Sequence, residues 1–396
     1  MQYTLSNNGW DDDEIKSIHS VIQSDRYTMG EKVKKFEKEI ANFHNCKHAI
    51  MLNSGSSANL VASTAITIKN QGYKGQFYKK RGTVVAPAVS WSTTYFPLVQ
   101  LGYQILLIDV DETFNISMEA LRSATKDEKI VGLIGVNLLG VPAENQELIN
   151  FCKEKKIFFI EDNCESFGAS LDDIMCGTYG DVGTLSFFYS HHLQTMEGGM
   201  MLTNCDEIAN ISKSIRAHGW TRDGDYSKLL DGFEHDECDE LFKFVLPGYC
   251  LRPLEFSGAI GSTQLQKWNS QIERRLKNYE CFKSLAVSKK YLRIQKSRGR
   301  PTWFGFGCLF NLKSREDRKN LYIFLKSKGI ESRPIVAGNF AKQPVMQMLD
   351  IKVNGKLIMS DEINDKGLFF GNDSRDLSNE IKYLFEILDI FFEKQY

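Results

Sequence analysis

Between residues 48 and 162 short apolar runs alternate with helical stretches: HAIMLN, a helix from about Ser57, TVVAPA, a helix near Thr93, QILLID, a helix near Ser117, VGLIGVN, a helix from about Asn145, and IFFIED. Runs with no polar alternation fit strands buried on both faces, and a helix between successive strands is the connection that parallel pairing requires. The rhythm therefore predicts crossover units and an α/β fold built on a large, mainly parallel sheet. Ligands in such folds bind in the loops at the carboxyl ends of the strands. Ahead of this region, Val33, Phe36, Ile40 and Phe43 recur at helical spacing within residues 30–44 and predict an amphipathic helix.

Farther along, a helical stretch from about Pro253 to Ser288 reads as a link to a smaller unit containing the strand WFGFGCLFNL, the helix SREDRKNLYIFLKSKG and a terminal helix ending near Phe392. A chain of 396 residues is long enough for a large core and two domains. The expected division is a cofactor-binding domain over 1–285 and a smaller C-terminal α/β domain over 286–396. Residues 221–240 carry eight acids against two bases and read as either a solvated loop or a lid.

A formal net charge of −1 gives no electrostatic footprint for nucleic acid or an acidic membrane surface, so neither is an expected partner. The opening MQYTLSNNGWDDDEIKS has no basic segment followed by an apolar run, and no stretch is apolar enough to span a bilayer; a soluble cytoplasmic protein is expected. Nine scattered cysteines without a CxxC pair argue for reduced thiols and against a disulfide framework, a zinc knuckle or an iron–sulfur cluster, and no metal is expected.

Four features bear on chemistry. The run NSGSSAN at 53–59 follows a strand and opens a helix, which makes it an anion site or an ordinary turn. Asp162 ends the strand IFFIED, where a buried carboxylate suits a protonated ring nitrogen and equally a helix N-cap. Trp91, just past TVVAPA, is placed to stack on a planar ligand or to pack in the core. The pair His191-His192 follows Ser186 and precedes Glu197-Gly198-Gly199; an imidazole can carry a proton near neutral pH, though loop histidines are common.

Taken together, GSSAN at 55–59, ED with a following FGA at 161–169, SF at 186–187, EGG at 197–199, RAHG at 216–219 and GYCLRPLEFSGAIGSTQL at 248–265 resemble the DegT/DnrJ/EryC1/StrS family of sugar aminotransferases over nearly the whole chain. The resemblance implies the aspartate aminotransferase fold (pyridoxal phosphate fold type I) and a homodimer with active sites between subunits. It also implies a pyridoxal or pyridoxamine 5'-phosphate cofactor. In that family a lysine anchors the cofactor as a Schiff base. Here His191 stands at that position, and no lysine occurs between Lys156 and Lys213.

A histidine at the anchor is similar to the branch of nucleotide-sugar 3-dehydratases. This branch implies an unanchored pyridoxamine phosphate, His191 as acid and base, loss of the C3 hydroxyl of a nucleotide-linked 4-keto-6-deoxyhexose, and glutamate to regenerate the amine. The GDP-linked enzymes are nearer than the CDP-linked ones, whose iron–sulfur cysteines are missing here. By the same resemblance Gly55, Ser56, Ser57 and Ser186 hold the cofactor phosphate, Trp91 stacks and Asp162 faces the ring nitrogen. Glu165 stands where many aminotransferases have glutamine, and Cys250 where the family often has an asparagine reaching the neighbouring subunit's phosphate. His218, Arg252, Arg333 and Asn339 are expected substrate or cofactor contacts, although either arginine could be a surface ion pair. Two alternatives stand beside this reading: a sugar 4-aminotransferase with an unusual base, and a noncatalytic nucleotide-sugar-binding homologue.

Overall fold

The computed structural model describes residues 1–72, 79–126, 128–226 and 237–393. Its centre is an eight-stranded sheet in the order His48–Leu52, Gly199–Thr203, Val182–Ser186, Phe158–Asp162, Ile130–Val136, Thr83–Pro87, Gln104–Ile108 and Ile351–Val353. All strands run one way except Gly199–Thr203, which is antiparallel to both of its neighbours. The five expected strands and the helices between them are present, as Gly55–Gln71, Ser92–Gln100, Met118–Ala124 and Asn145–Lys155.

The apolar runs form strands because side chains alternate between two covered faces. Val84, Ala86, Ile105, Leu107, Ile134 and Ile160 point to the core beneath Gly55–Gln71, with Ala58, Val61, Ala62 and Ala65 above them. Their neighbours Val85, Leu106, Ile108, Leu133 and Phe159 point the other way, against Leu121, Leu148 and Phe151. Fully burying side chains of this size stabilises by roughly 1.5–3 kcal/mol each relative to exposure, which is why neither face tolerates a polar alternate. The helix Glu31–Phe43 buries Val33, Phe36 and Ile40 against Met51, Leu185, Phe187 and Met200.

The expected helical stretch after Pro253 is two helices, Glu255–Gln266 and Trp268–Ala286. They meet at Lys267, whose N–H reaches the Gln264 carbonyl and tightens the turn. Beyond them an antiparallel sheet orders Leu292–Ile294, Gly305–Phe310 and Gly367–Gly371. Arg315–Ser327, started by a Ser314 capping box, and Ser378–Glu393 pack on it through Leu321, Leu325, Leu384 and Leu388. Many contacts join this region to the rest, among them two from distant parts of the chain. Ile351–Val353 supplies the edge strand of the large sheet, and Tyr3 is buried in the second core with its hydroxyl on the Gly371 carbonyl at 2.7 Å. Of the acidic stretch expected to be a loop or lid, residues 227–236 lie outside the described residues. Among the described residues no helix is long and apolar enough to cross a membrane.

Candidate active site

A cavity of about 440 Å³ opens at the carboxyl edge of the large sheet. Asp162 and Ser186 reach it from the ends of adjacent parallel strands, Gly55 and Ser56 from a helix start, and Trp91 from the loop after Thr83–Pro87. The helix start is held by Ser54, whose hydroxyl accepts from the Ser57 N–H at 3.1 Å. It also lies hard against its neighbours. A Cβ added at Gly55 would sit 2.6 Å from Cβ of Ser186, and one added at Gly199 would strike the Ser54 carbonyl. The two glycines thus let a helix N-terminus and the Ser186 hydroxyl converge, as an anion site requires.

Asp162 is buried, and its carboxylate is held by hydrogen bonds from three neighbours. Asn59 Nδ2 donates at 2.9 Å and Thr94 Oγ1 at 2.7 Å to Oδ2, and the Cys164 N–H donates at 3.2 Å to Oδ1. Asn59 is fixed in turn by Thr184, which donates to its Oδ1 at 2.7 Å. Glu165 lines the same cavity and accepts from the Leu139 N–H at 2.9 Å. Burial pushes its carboxyl up to about 7; the Leu139 bond opposes this and the Asp162 charge adds to it. Leu139 holds φ of 53°, an unfavourable value for a branched residue, and this conformation aims its N–H at Glu165.

His191 is half-buried in the cavity wall, its ring set edge-on to Phe304 with centroids 5.1 Å apart. Its Nδ1 is buried with no partner among the described residues, which leaves Nε2 to work in the cavity. Burial pushes its pKa down to about 4, with the charge of Arg275 acting in the same direction, so the ring is a neutral base at pH 7. His192 turns away: it is buried against Trp268, with Nε2 3.2 Å from the Thr302 carbonyl.

Of the residues expected at the site, the cavity brings together Gly55, Ser56, Trp91, Asp162, Glu165, Ser186, His191 and Arg333. Trp91 is 58% exposed, so its ring face is free to stack. Ser57 does not line the cavity; its hydroxyl pairs with Ser54 at 3.0 Å. Asn339 is buried outside it, with Nδ2 on Asp361 at 2.8 Å and Oδ1 taking the Ala341 N–H at 3.0 Å. Arg252 and His218 lie elsewhere, both around the Trp220 ring. Cys250 is exposed, and Arg252 donates to its Sγ at 3.6 Å. Sequence reasoning missed Thr94, Leu139 and Phe304. Thr94 follows Trp91 by three residues, which puts both at the start of one helix, whereas Leu139 acts through its backbone and carried no side-chain signal.

A model of the DegT/DnrJ/EryC1/StrS aminotransferase family matches residues 9–385. The chain belongs to this family. It is 44% identical to GDP-4-keto-6-deoxy-D-mannose 3-dehydratase of Yersinia pseudotuberculosis over 98% of each chain. A solved Escherichia coli GDP-4-keto-6-deoxy-D-mannose-3-dehydratase with bound hydrated PLP superposes with a TM-score of 0.92 at 43% identity, covering 98% of this chain and 99% of that one. A GDP-4-keto-6-deoxymannose-3-dehydratase with a trapped PLP-glutamate geminal diamine gives a TM-score of 0.90 at 42% identity, covering 98% and 100%.

The fold is therefore the aminotransferase fold, and the DegT/DnrJ/EryC1/StrS family's cofactor is pyridoxal phosphate. The residues present fit that group. The Gly55 and Gly199 contacts leave a helix N-terminus open toward an anion, Trp91 offers a ring face, and Asp162 lies deeper in the same cavity. What departs from an anchored cofactor in this family is the wall itself: no lysine occurs among the described residues that line it.

Proposed function

We propose that this chain is a pyridoxamine-phosphate-dependent lyase that removes the C3 hydroxyl of GDP-4-keto-6-deoxymannose, with glutamate restoring the amine form of the cofactor. The observation that carries this reading is His191 in a cavity wall without lysine, in a chain 44% identical to a dehydratase of that substrate. When bound, the cofactor supplies an amine for the sugar's 4-keto carbon and a ring that takes up electrons.

The chain's own residues do the rest. Ser56, Ser186 and the N–H groups around Gly55 bind the phosphate, Trp91 covers the ring, and Asp162, fixed by Asn59 and Thr94, faces the ring nitrogen. Glu165 adds a carboxyl that burial keeps partly protonated near neutral pH, able to donate as well as accept. His191 takes a proton on Nε2 and returns it to the departing C3 oxygen. Arg333, exposed at the cavity mouth, offers its guanidinium to the nucleotide diphosphate.

We assign residues 1–285 to a large domain and 286–396 to a small one, joined by the shared edge strand and by Tyr3. A homodimer with sites between subunits would give His218 and Arg252, which stand outside the cavity of one chain, a cavity to serve in the partner. The enzyme would act in the cytoplasm on the route to a 3,6-dideoxy sugar such as colitose for a surface polysaccharide.

The test is product analysis with GDP- and CDP-linked 4-keto-6-deoxy sugars and nitrogen-labelled glutamate. With the GDP sugar the label should appear in ammonia and the product should lack the C3 oxygen. Label recovered in a stable 4-amino sugar would instead establish an aminotransferase.

A further inference from the structure

His191 and His192 are consecutive, yet they line different spaces. His192 borders a second, polar pocket of about 30 Å³ together with Gln271, Arg275 and Asp373. Such a volume admits one or two waters. Two atoms of its wall residues, Nδ1 of His192 and Oε1 of Gln271, are buried without a partner among the described residues.

Arg275 is the unusual member. It is 3% exposed, and its Nη1 donates to main-chain carbonyls, to Asn372 at 2.6 Å and to Trp303 at 3.4 Å. Among the described residues it has no carboxylate at ion-pair distance; Asp373, across the pocket, is paired with Arg375 at 2.7 Å. One of these carbonyls, that of Trp303, belongs to a strap over residues 302–304, and Asn372, which carries the other, braces it. Asn372 Nδ2 also donates to the Trp303 carbonyl, at 2.9 Å, and His192 Nε2 meets the Thr302 carbonyl. The Thr302 N–H reaches Gly140 at 2.8 Å, and the Phe304 N–H reaches Leu139 at 3.0 Å. Trp303 itself sits at φ of 46°. The strap delivers Phe304 edge-on to His191.

We propose that Arg275 is a positioning residue of the reaction: it ties the 302–304 strap that orients the His191 ring, and its charge, only partly offset by Asp373 across the pocket, backs the histidine pair from behind. The proposal rests on the dehydratase reading above, in which His191 is the base. A cation behind a base disfavours its protonated form. The charged and titratable groups around His191 are Asp162, Cys164, Glu165, Glu197 and Arg333 in the cavity wall, Tyr189 and His192 in its own loop, and Arg275 with Asp373 and Arg375 behind. Of these, Arg275 alone adds to burial in lowering the His191 pKa. Arg275 remains charged at neutral pH, although burial pushes it down to about 10.

The test compares Arg275→Gln, Arg275→Lys and Asp373→Asn with the parent protein. The first readout is the NMR titration of the His191 ring in cofactor-free protein, assigned by its loss in His191→Asn. Arg275→Gln should raise the midpoint on the order of one pH unit, as expected for removing one nearby charge in a partly screened interior. Arg275→Lys should restore it, and Asp373→Asn should lower it. In the glutamate half-reaction the acidic limb of kcat/KM should move with the midpoint. A structural role alone would lower Tm with the midpoint unmoved, and that result overturns the proposal. Should Arg275→Gln not fold, Asp373→Asn decides: a lower midpoint supports the proposal and an unchanged or higher one sinks it. Failure of the dehydratase reading would show separately, as a parent protein that releases no labelled ammonia.

Discussion

Thr94 and Asn59 converge on one oxygen of Asp162: the threonine hydroxyl lies 2.7 Å and the asparagine amide 2.9 Å from Oδ2. Because they come from two different helices, the carboxylate is held from two directions, and its orientation does not depend on its own strand alone.

Thr94→Val keeps the shape of the side chain and removes one donor from this buried carboxylate. A hydrogen bond to a charged group contributes roughly 1.5–3 kcal/mol, and each 1.4 kcal/mol is about tenfold in affinity. Cofactor affinity, followed by absorbance titration, should therefore fall about tenfold or more. An unchanged affinity would mean that Asn59 and the Cys164 N–H suffice.

Glu165 makes stability depend on pH in a direction opposite to that of an ion-paired carboxylate. Its folded value is raised from 4.5 to about 7, so the folded state holds the proton after the unfolded chain has lost it. Its contribution to folding is most favourable below the unfolded value and is lost as pH rises through the folded one. Glu165→Gln does not titrate. Relative to the parent, the cofactor-free variant should gain roughly 1–2 kcal/mol between pH 5 and 8, after allowing for solvent in the cavity. The His191 titration is common to both proteins and cancels. Urea unfolding at the two pH values checks this; an equal difference at both would show that Glu165 ionises freely.

Much of this architecture was legible because its signals are local. The runs at 84–87, 105–108 and 158–160 are apolar throughout since both sheet faces are covered, and Val33, Phe36 and Ile40 mark one stripe of a helix. The edge strand Ile351–Val353 was not legible: it is three residues long, carries a lysine, and exists through pairing with residues nearly 250 positions earlier. The break at Lys267 is a change of backbone bonding inside a sequence that is helical on both sides. At the site, motif residues near strand ends could be named. Glu165 on the Leu139 N–H and Arg275 on the Trp303 and Asn372 carbonyls could not, because their partners are main-chain groups that any residue supplies. Asn339 is the opposite case, a polar residue near a suggestive motif whose amide bonds a cap and Asp361 outside the cavity.

The two histidines differ in what each stands to lose, and their substitutions should separate. His191 lines the cavity, and the groups proposed to bind the cofactor, Ser56, Ser186, Trp91 and Asp162, do not depend on it for any hydrogen bond. His191→Asn should therefore retain cofactor while turnover falls about a hundred- to ten-thousand-fold, the usual contribution of a general acid/base group. His192 is buried outside the cavity and bonds the Thr302 carbonyl. His192→Asn should cost about 1–3 kcal/mol of stability through that bond and its packing on Trp268, with turnover reduced far less. Measuring bound cofactor, steady-state rate and Tm for both variants distinguishes the roles. If His192→Asn abolishes turnover while His191→Asn remains active, the base has been assigned to the wrong ring.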